Sequence, residues 1–219
     1  NQKTIFPEMS QENVPNKLAD MGSMYLSRII YGASRAFQSL NDNSYKVLAD
    51  KAFDQLSDFK NPSGGYFWAR KYNMEWKHDA DNVNMAQAFV LYGLAEYSKI
   101  NSSEVVSELL EEQLSFIQAN INDVSGQFYL DGFDDNWARG VMMTRSFGTH
   151  FHIMEALVLL YEQKKTDSLR DSIHELINII IDRFIDKDSY SCLHRFTEDW
   201  ELLPNEEWAG HNAECSWVI

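Results

Sequence analysis

Three times along the chain, two stretches with apolar residues spaced three and four apart run into a polar turn and then an aromatic-rich segment. The three segments are "GGYFWARKY", "GQFYLDGF" and "YSCLHRFTEDW", and aligning Phe67, Phe128 and Leu193 gives periods of 61 and 65 residues. Spacing of three and four gathers side chains on one helical face, so each unit reads as a helical hairpin. Such a hairpin cannot bury its apolar face alone and must stack on its neighbours, in an open solenoid or a closed ring. The fold class is therefore all-α, and the aromatic segments are at most small hairpins at helix ends.

The first hairpin is expected over residues 17–40, with Met21, Met24, Tyr25, Ile29, Ala33, Phe37 and Leu40 on one stripe, and over 44–59, with Tyr45, Leu48, Ala52, Leu56 and Phe59 on another. The second falls at about residues 79–100 and 102–121, the third at about 144–163 and 167–185. A seventh helical stretch opens in "AGHNAECSWVI", and no glycine, asparagine or cation follows Val218 to end it. Residues 1–219 are thus expected to form one partial domain of a longer chain.

Charge narrows the partners. Nineteen Lys and Arg against 33 Asp and Glu give a formal charge of -14, which repels phosphate backbones and anionic lipid alike. No apolar run approaches the roughly 18 residues that cross a bilayer. The expected partner is a small molecule, with nucleic acid and membrane set aside, and monomer and homodimer both stay open. Cys192 and Cys215 lie far apart in the sequence, so a disulfide framework is not expected and a reducing, cytoplasmic setting fits. The start, "NQKTIFPEMSQENVP", has neither the basic nor the apolar part of a leader, but it also lacks an initiator Met.

Chemistry is sought where titratable residues interrupt apolar helices. His152 and Glu155 are three apart on one helical face, while His150 is expected to point elsewhere. His211 and Glu214 repeat the pair, with Trp217 one turn further on. Arg28, flanked by Leu26, Ile29 and Ile30, occupies the matching helix of the first hairpin. These side chains converge if the repeats ring an axis. Three plainer accounts compete: satisfied core histidines, a buried ion pair, and aromatic lids over the core. H-x-x-E also reverses the E-x-x-H of di-iron bundles, but the further glutamate-bearing helices are lacking, so no metal is assigned. No phosphate loop or nucleophile elbow appears, and no cofactor is expected. Two other classes stay open: a glycoside hydrolase using two of Asp134, Asp135, Glu198 and Asp199, and a non-catalytic helical-repeat binding module.

At these residues the sequence resembles the N-acylglucosamine 2-epimerase superfamily, and within it the cellobiose 2-epimerases. The matching stretches are "SRIIYGASRAF", "GGYFWARKY", "AQAFVLYGLAEY", "THFHIMEALVLLYE", "LHRFTEDWEL" and "GHNAECSWVI", in family order from Arg28 onward. The resemblance implies a ring of six helical hairpins, an (α/α)6 barrel, incomplete in this chain, with a sugar bound at its mouth. It implies His211 as a general acid/base, Glu214 and Trp217 setting its environment and holding the sugar, and His152 and Arg28 at the reacting end. The family's second principal acid/base histidine lies in a C-terminal half with no counterpart in these 219 residues, so on their own they are expected to be inactive. Gly148 and Met85 depart from the family, which carries Asn and Tyr there.

The implied reaction inverts a reducing sugar at C2: the ring opens, a base removes the proton beside the carbonyl, and an acid returns one on the other face. Imidazole suits both roles because it titrates near neutral pH. His211 and His152 are the candidate catalytic groups, with Arg28 favouring the developing oxyanion. Trp217, Trp68 and Tyr66 are candidates to stack on sugar faces.

Overall fold

The structure is a computed structural model that describes residues 5, 8, 10–12, 14, 16, 19–70, 76–77, 83–121, 129–133, 143–204 and 209–218. Among them are helices α1 (Ser23–Leu40), α2 (Asn43–Ser57), α3 (Val83–Tyr97), α4 (Glu104–Phe116), α5 (Phe147–Gln163), α6 (Asp167–Ile179) and α7 (Ala209–Val218). Short strands β1 (Met21–Gly22), β2 (Ala69–Arg70) and β3 (Trp76–Lys77) form one antiparallel sheet, and β4 (Thr144–Ser146) and β5 (Arg195–Thr197) form another. Three hairpins result: α1 packs on α2, α3 on α4 and α5 on α6, while α1, α3 and α5 pack side by side. Among the described residues, no helix is long and apolar enough to cross a membrane.

Polar side chains fix the helix starts. Asp42, Ser103, Ser146 and Thr166 each accept a hydrogen bond from a backbone N–H in the first turn of α2, α4, α5 and α6. Helix α1 ends where Asn41 turns left-handed at φ 52° and donates its N–H to the Phe37 carbonyl.

Several details differ from the apolar pattern. The first helix begins at Ser23 rather than at 17, because Met21 and Gly22 pair with Arg70 and Ala69. Thr144–Ser146 is likewise a strand leading into α5. Of the expected stripe on α1 only Ala33 is buried: the buried face is Ser23, Leu26, Ser27, Ile30, Ala33 and Ser34, while Tyr25 and Leu40 are exposed. Small residues win this face because α1 and α3 approach closely. A Cβ on Gly93 would lie 2.8 Å from the Ser27 carbonyl oxygen. Ser27 donates its hydroxyl to the Ser23 carbonyl and Ser23 donates its own to the Trp68 carbonyl, whereas the buried Ser34 hydroxyl has no partner among the described residues. In α2 the expected Ala52 and Leu56 are buried, as is Phe59 just beyond the helix, while Ala49 takes the buried place expected for Tyr45 and Leu48.

Neither cysteine is in a disulfide and both are buried, and the fold brings their thiols together although the sequence holds them apart. Cys192 lies just before β5, and its N–H donates to the Asn212 side chain of α7 at 2.7 Å.

Candidate active site

The N-terminal ends of the inner helices carry the residues of interest. Arg28 is the sixth residue of α1, His152 the sixth of α5, and His211 the third of α7. All three line one cavity of about 490 Å³, together with Met24, Met85, Ser146, Gly148, His194, Arg195 and Pro204.

Phe89 of α3 couples two of them. The Arg28 guanidinium lies 4.3 Å above the Phe89 ring centre, and the His152 ring lies 4.4 Å from it. Phe89 is 6% exposed, so it offers a buried apolar platform for a cation and an imidazole. His152 Nδ1 is 2.7 Å from Glu155 Oε2. A carboxylate only accepts, so Nδ1 carries the proton and Nε2 of neutral His152 keeps its lone pair. His152, Glu155 and Glu214 present ligand atoms within 4.8 Å of one another, the one group among the described residues able to hold a metal ion.

His211 is half-buried, and its Nδ1 lies 3.3 Å from His194 Nδ1. Burial lowers its pKa, Glu214 opposes that shift and His152 adds to it. Burial, then His211, lowers His194 as well. Both imidazoles are therefore held toward the neutral form, which can accept a proton.

One carboxylate organises the wall between these groups. Asp131 is 1% exposed and accepts from the Ser146 N–H at 3.0 Å, the Ser146 hydroxyl at 2.6 Å, the Thr149 hydroxyl at 2.7 Å and the Thr144 hydroxyl at 2.6 Å. Burial raises its pKa, against the lowering effect of these bonds. The network pins β4 to the start of α5. Across the β4–β5 ladder Ser146 pairs with Arg195, and the Phe147 N–H donates to the His194 carbonyl at 3.0 Å. The segment carrying His194 and Arg195 is thereby fixed beside the first turn of the helix that carries His152.

Other sequence candidates sit elsewhere. Glu214 lies beside the cavity within the His152 and Glu155 group but does not line it. Tyr66 is 4% exposed, its backbone clamped in both directions by the Gln87 side chain, and burial pushes its phenol up to about 12. Trp68 is half-buried, and its carbonyl accepts from the N–H and hydroxyl of Ser23. Trp217 is 87% exposed on α7. None of these three aromatics lines the cavity. His150 does point elsewhere: it is fully buried, donates from Nδ1 to the Ser146 carbonyl at 2.8 Å, and is held at about 4 by burial. Glu198 and Asp199 are exposed at the turn after β5, and Asp134 and Asp135 lie outside the described residues. Sequence reasoning missed His194, Arg195 and Asp131. The available signal was their place in "LHRF" and "YLDGF", the aromatic segments that close two hairpins at the mouth.

Comparison with known proteins adds an independent line. The profile of the family described as N-acylglucosamine 2-epimerase (GlcNAc 2-epimerase) matches residues 6–219. A cellobiose 2-epimerase of Dictyoglomus turgidum is 27% identical over 217 residues, covering 94% of this chain and 55% of its own length. One from Bacteroides fragilis is 25% identical over 212 residues, covering 92% of this chain and 54% of itself. The chain thus spans about half the length of the curated relatives it matches. Among solved structures, cellobiose 2-epimerase from Bacillus thermoamylovorans superposes with a TM-score of 0.85 at 23% identity, over 95% of this chain and 56% of that one. The three hairpins and α7 are part of an (α/α)6 barrel, and the ring outweighs the open solenoid as the way these repeats stack.

Proposed function

This chain belongs to the N-acylglucosamine 2-epimerase family, and on that premise we propose that it supplies part of the active site of a sugar 2-epimerase acting on the reducing-end residue of a mono- or disaccharide. The observation that carries the reading is that Arg28, His152, His194 and His211 line one cavity whose two lowered imidazoles are held neutral. The glycosidase reading has no comparable support, since the described carboxylates Glu198 and Asp199 face solvent.

In this account the open-chain sugar places its C1 carbonyl toward Arg28, whose guanidinium stabilises the oxyanion as C2 loses its proton. His211 exchanges the C2 proton, and a second group on the opposite face of the enediol-type intermediate completes the inversion. His152, with Nδ1–H committed to Glu155, presents a basic Nε2 to the sugar's reacting end. Glu214 favours the charged form of His211 once it has taken the proton. Trp217, Trp68 and Tyr66 are outside the cavity lining, so sugar stacking by them is not part of this proposal.

Cellobiose, mannose and N-acetylglucosamine are the substrates to offer. With the protein carrying this chain, His211→Asn is expected to reduce epimer formation by about a hundredfold or more, the range of a general acid/base. Release of glucose from cellobiose without any epimer would instead support hydrolysis.

A further inference from the structure

We infer that His194 is a positioning residue for His211: the rings share one proton through an Nδ1–H···Nδ1 bond in which His211 donates, leaving His211 Nε2 to exchange a proton with substrate. The inference deepens the epimerase reading and rests on it for the direction of the bond.

The geometry carries it. The two Nδ1 atoms are 3.3 Å apart, with ring centres 5.1 Å apart and planes inclined by 46°. A neutral imidazole has one donor and one acceptor nitrogen, so a bond between like nitrogens forces opposite tautomers on the two rings. Protonating both rings would set two N–H groups against each other, so the pair holds at most one positive charge.

Both partners are fixed by bonds that do not involve their rings. The His194 carbonyl accepts from the Phe147 N–H, and the next residue, Arg195, pairs with Ser146. The His211 carbonyl accepts from the Cys192 thiol at 3.9 Å, and Asn212 accepts from the Cys192 N–H. The segment holding His194 is thus tied to α5 on one side and to α7 on the other. Phe147 packs against both rings, with centres 6.2 Å from His194 and 5.7 Å from His211.

Among the described residues, the charged and titratable groups that act on His211 or line the cavity with it include Glu214 on α7, His152 on α5, Arg28 on α1 and Arg195 on β5. If His194 were the donor, His211 would hold its proton on Nε2 and could not accept one from C2. With His211 donating, proton capture at Nε2 makes it a charged donor to a neutral acceptor, and the bond strengthens as charge develops.

Nitrogen-15 NMR of the imidazoles in the protein carrying this chain tests the bond without turnover. The wild-type spectrum near neutral pH is expected to show His211 protonated at Nδ1 and bare at Nε2, with His194 the reverse. His194→Asn, whose side-chain oxygen still accepts, should keep that tautomer. His194→Phe should give a mixture, reduce kcat by about tenfold to a hundredfold with KM nearly unchanged, and move the acid limb of the pH profile to lower pH. A wild-type His211 protonated at Nε2 overturns the inference even if the Phe variant fails to fold, and so does a folded Phe variant with unaltered tautomer and pH profile. The expected tautomers in a protein without epimerase activity would uphold the pairing and sink the epimerase reading instead.

Discussion

The terminal methyl of Met85 stands 2.7 Å from the point a Cβ on residue 148 would occupy, so Met85 fills the space that Gly148 leaves open in the cavity wall. Its thioether arm is flexible, whereas the Cβ site of Gly93 faces Ser27 backbone at 2.8 Å and 3.2 Å. Gly148→Ala should therefore change stability by less than about 1 kcal/mol, the helix gain offsetting the displaced methyl. Gly93→Ala should destabilise by about 1–3 kcal/mol by forcing α1 from α3. In Met85→Ala, adding Gly148→Ala should stabilise, and a double-mutant cycle by denaturant unfolding should return coupling above about 0.5 kcal/mol.

His150 gives a pH test. Its ordinary value of 6.5 falls to about 4 in the fold because burial penalises the cation. The unfolded chain therefore binds a proton that the native state refuses as pH falls. Stability from this group is complete above 6.5 and is lost between 6.5 and about 4, by ~3 kcal/mol in all. Unfolding measured from pH 7 to pH 4 should show this loss, and His150→Asn should flatten that part of the curve.

Both cysteines are shielded, at 2% and 6% exposure for Cys192 and Cys215. Burial, and then Cys215, push the Cys192 thiol up to about 12, and burial raises Cys215 too. Native protein at neutral pH should react with a thiol reagent far more slowly than protein in denaturant. Fast native labelling of both would contradict the packing of α7 against the segment before β5.

The periodicity made the hairpins legible, because a spacing of three and four reports a helix wherever the chain goes next. It misplaced most of the buried face of α1, because Ser23, Ser27 and Ser34 carry no hydrophobic signal and Ser27 lies where Gly93 of α3 comes close. Arg28, His152 and His211 stood out as charge on apolar helices. His194 and Asp131 did not, since each works through a partner distant in sequence: His211, and the hydroxyls of Thr144, Ser146 and Thr149. The aromatics Tyr66, Trp68 and Trp217 show the converse, because composition cannot tell a ring that lines a cavity from one that packs a core or meets solvent.

His152, Glu155 and Glu214 are close enough to hold a cation, and the account uses them as an imidazole with two carboxylates. Epimer formation should therefore survive exhaustive chelation. Added zinc should inhibit, because it competes for His152. Activity lost to chelator and restored by zinc would transfer the chemistry to a metal.

The central claim is that this site exchanges the proton at C2 of a reducing sugar. Its most direct test is to incubate the protein carrying this chain with cellobiose in heavy water and locate the isotope in the product by NMR. The account predicts a C2 epimer carrying solvent deuterium at C2, with the glycosidic bond intact. An epimer that keeps its original C2 hydrogen would show that C2 is inverted without proton exchange between two groups on opposite faces, and would contradict the roles given to His211 and His152.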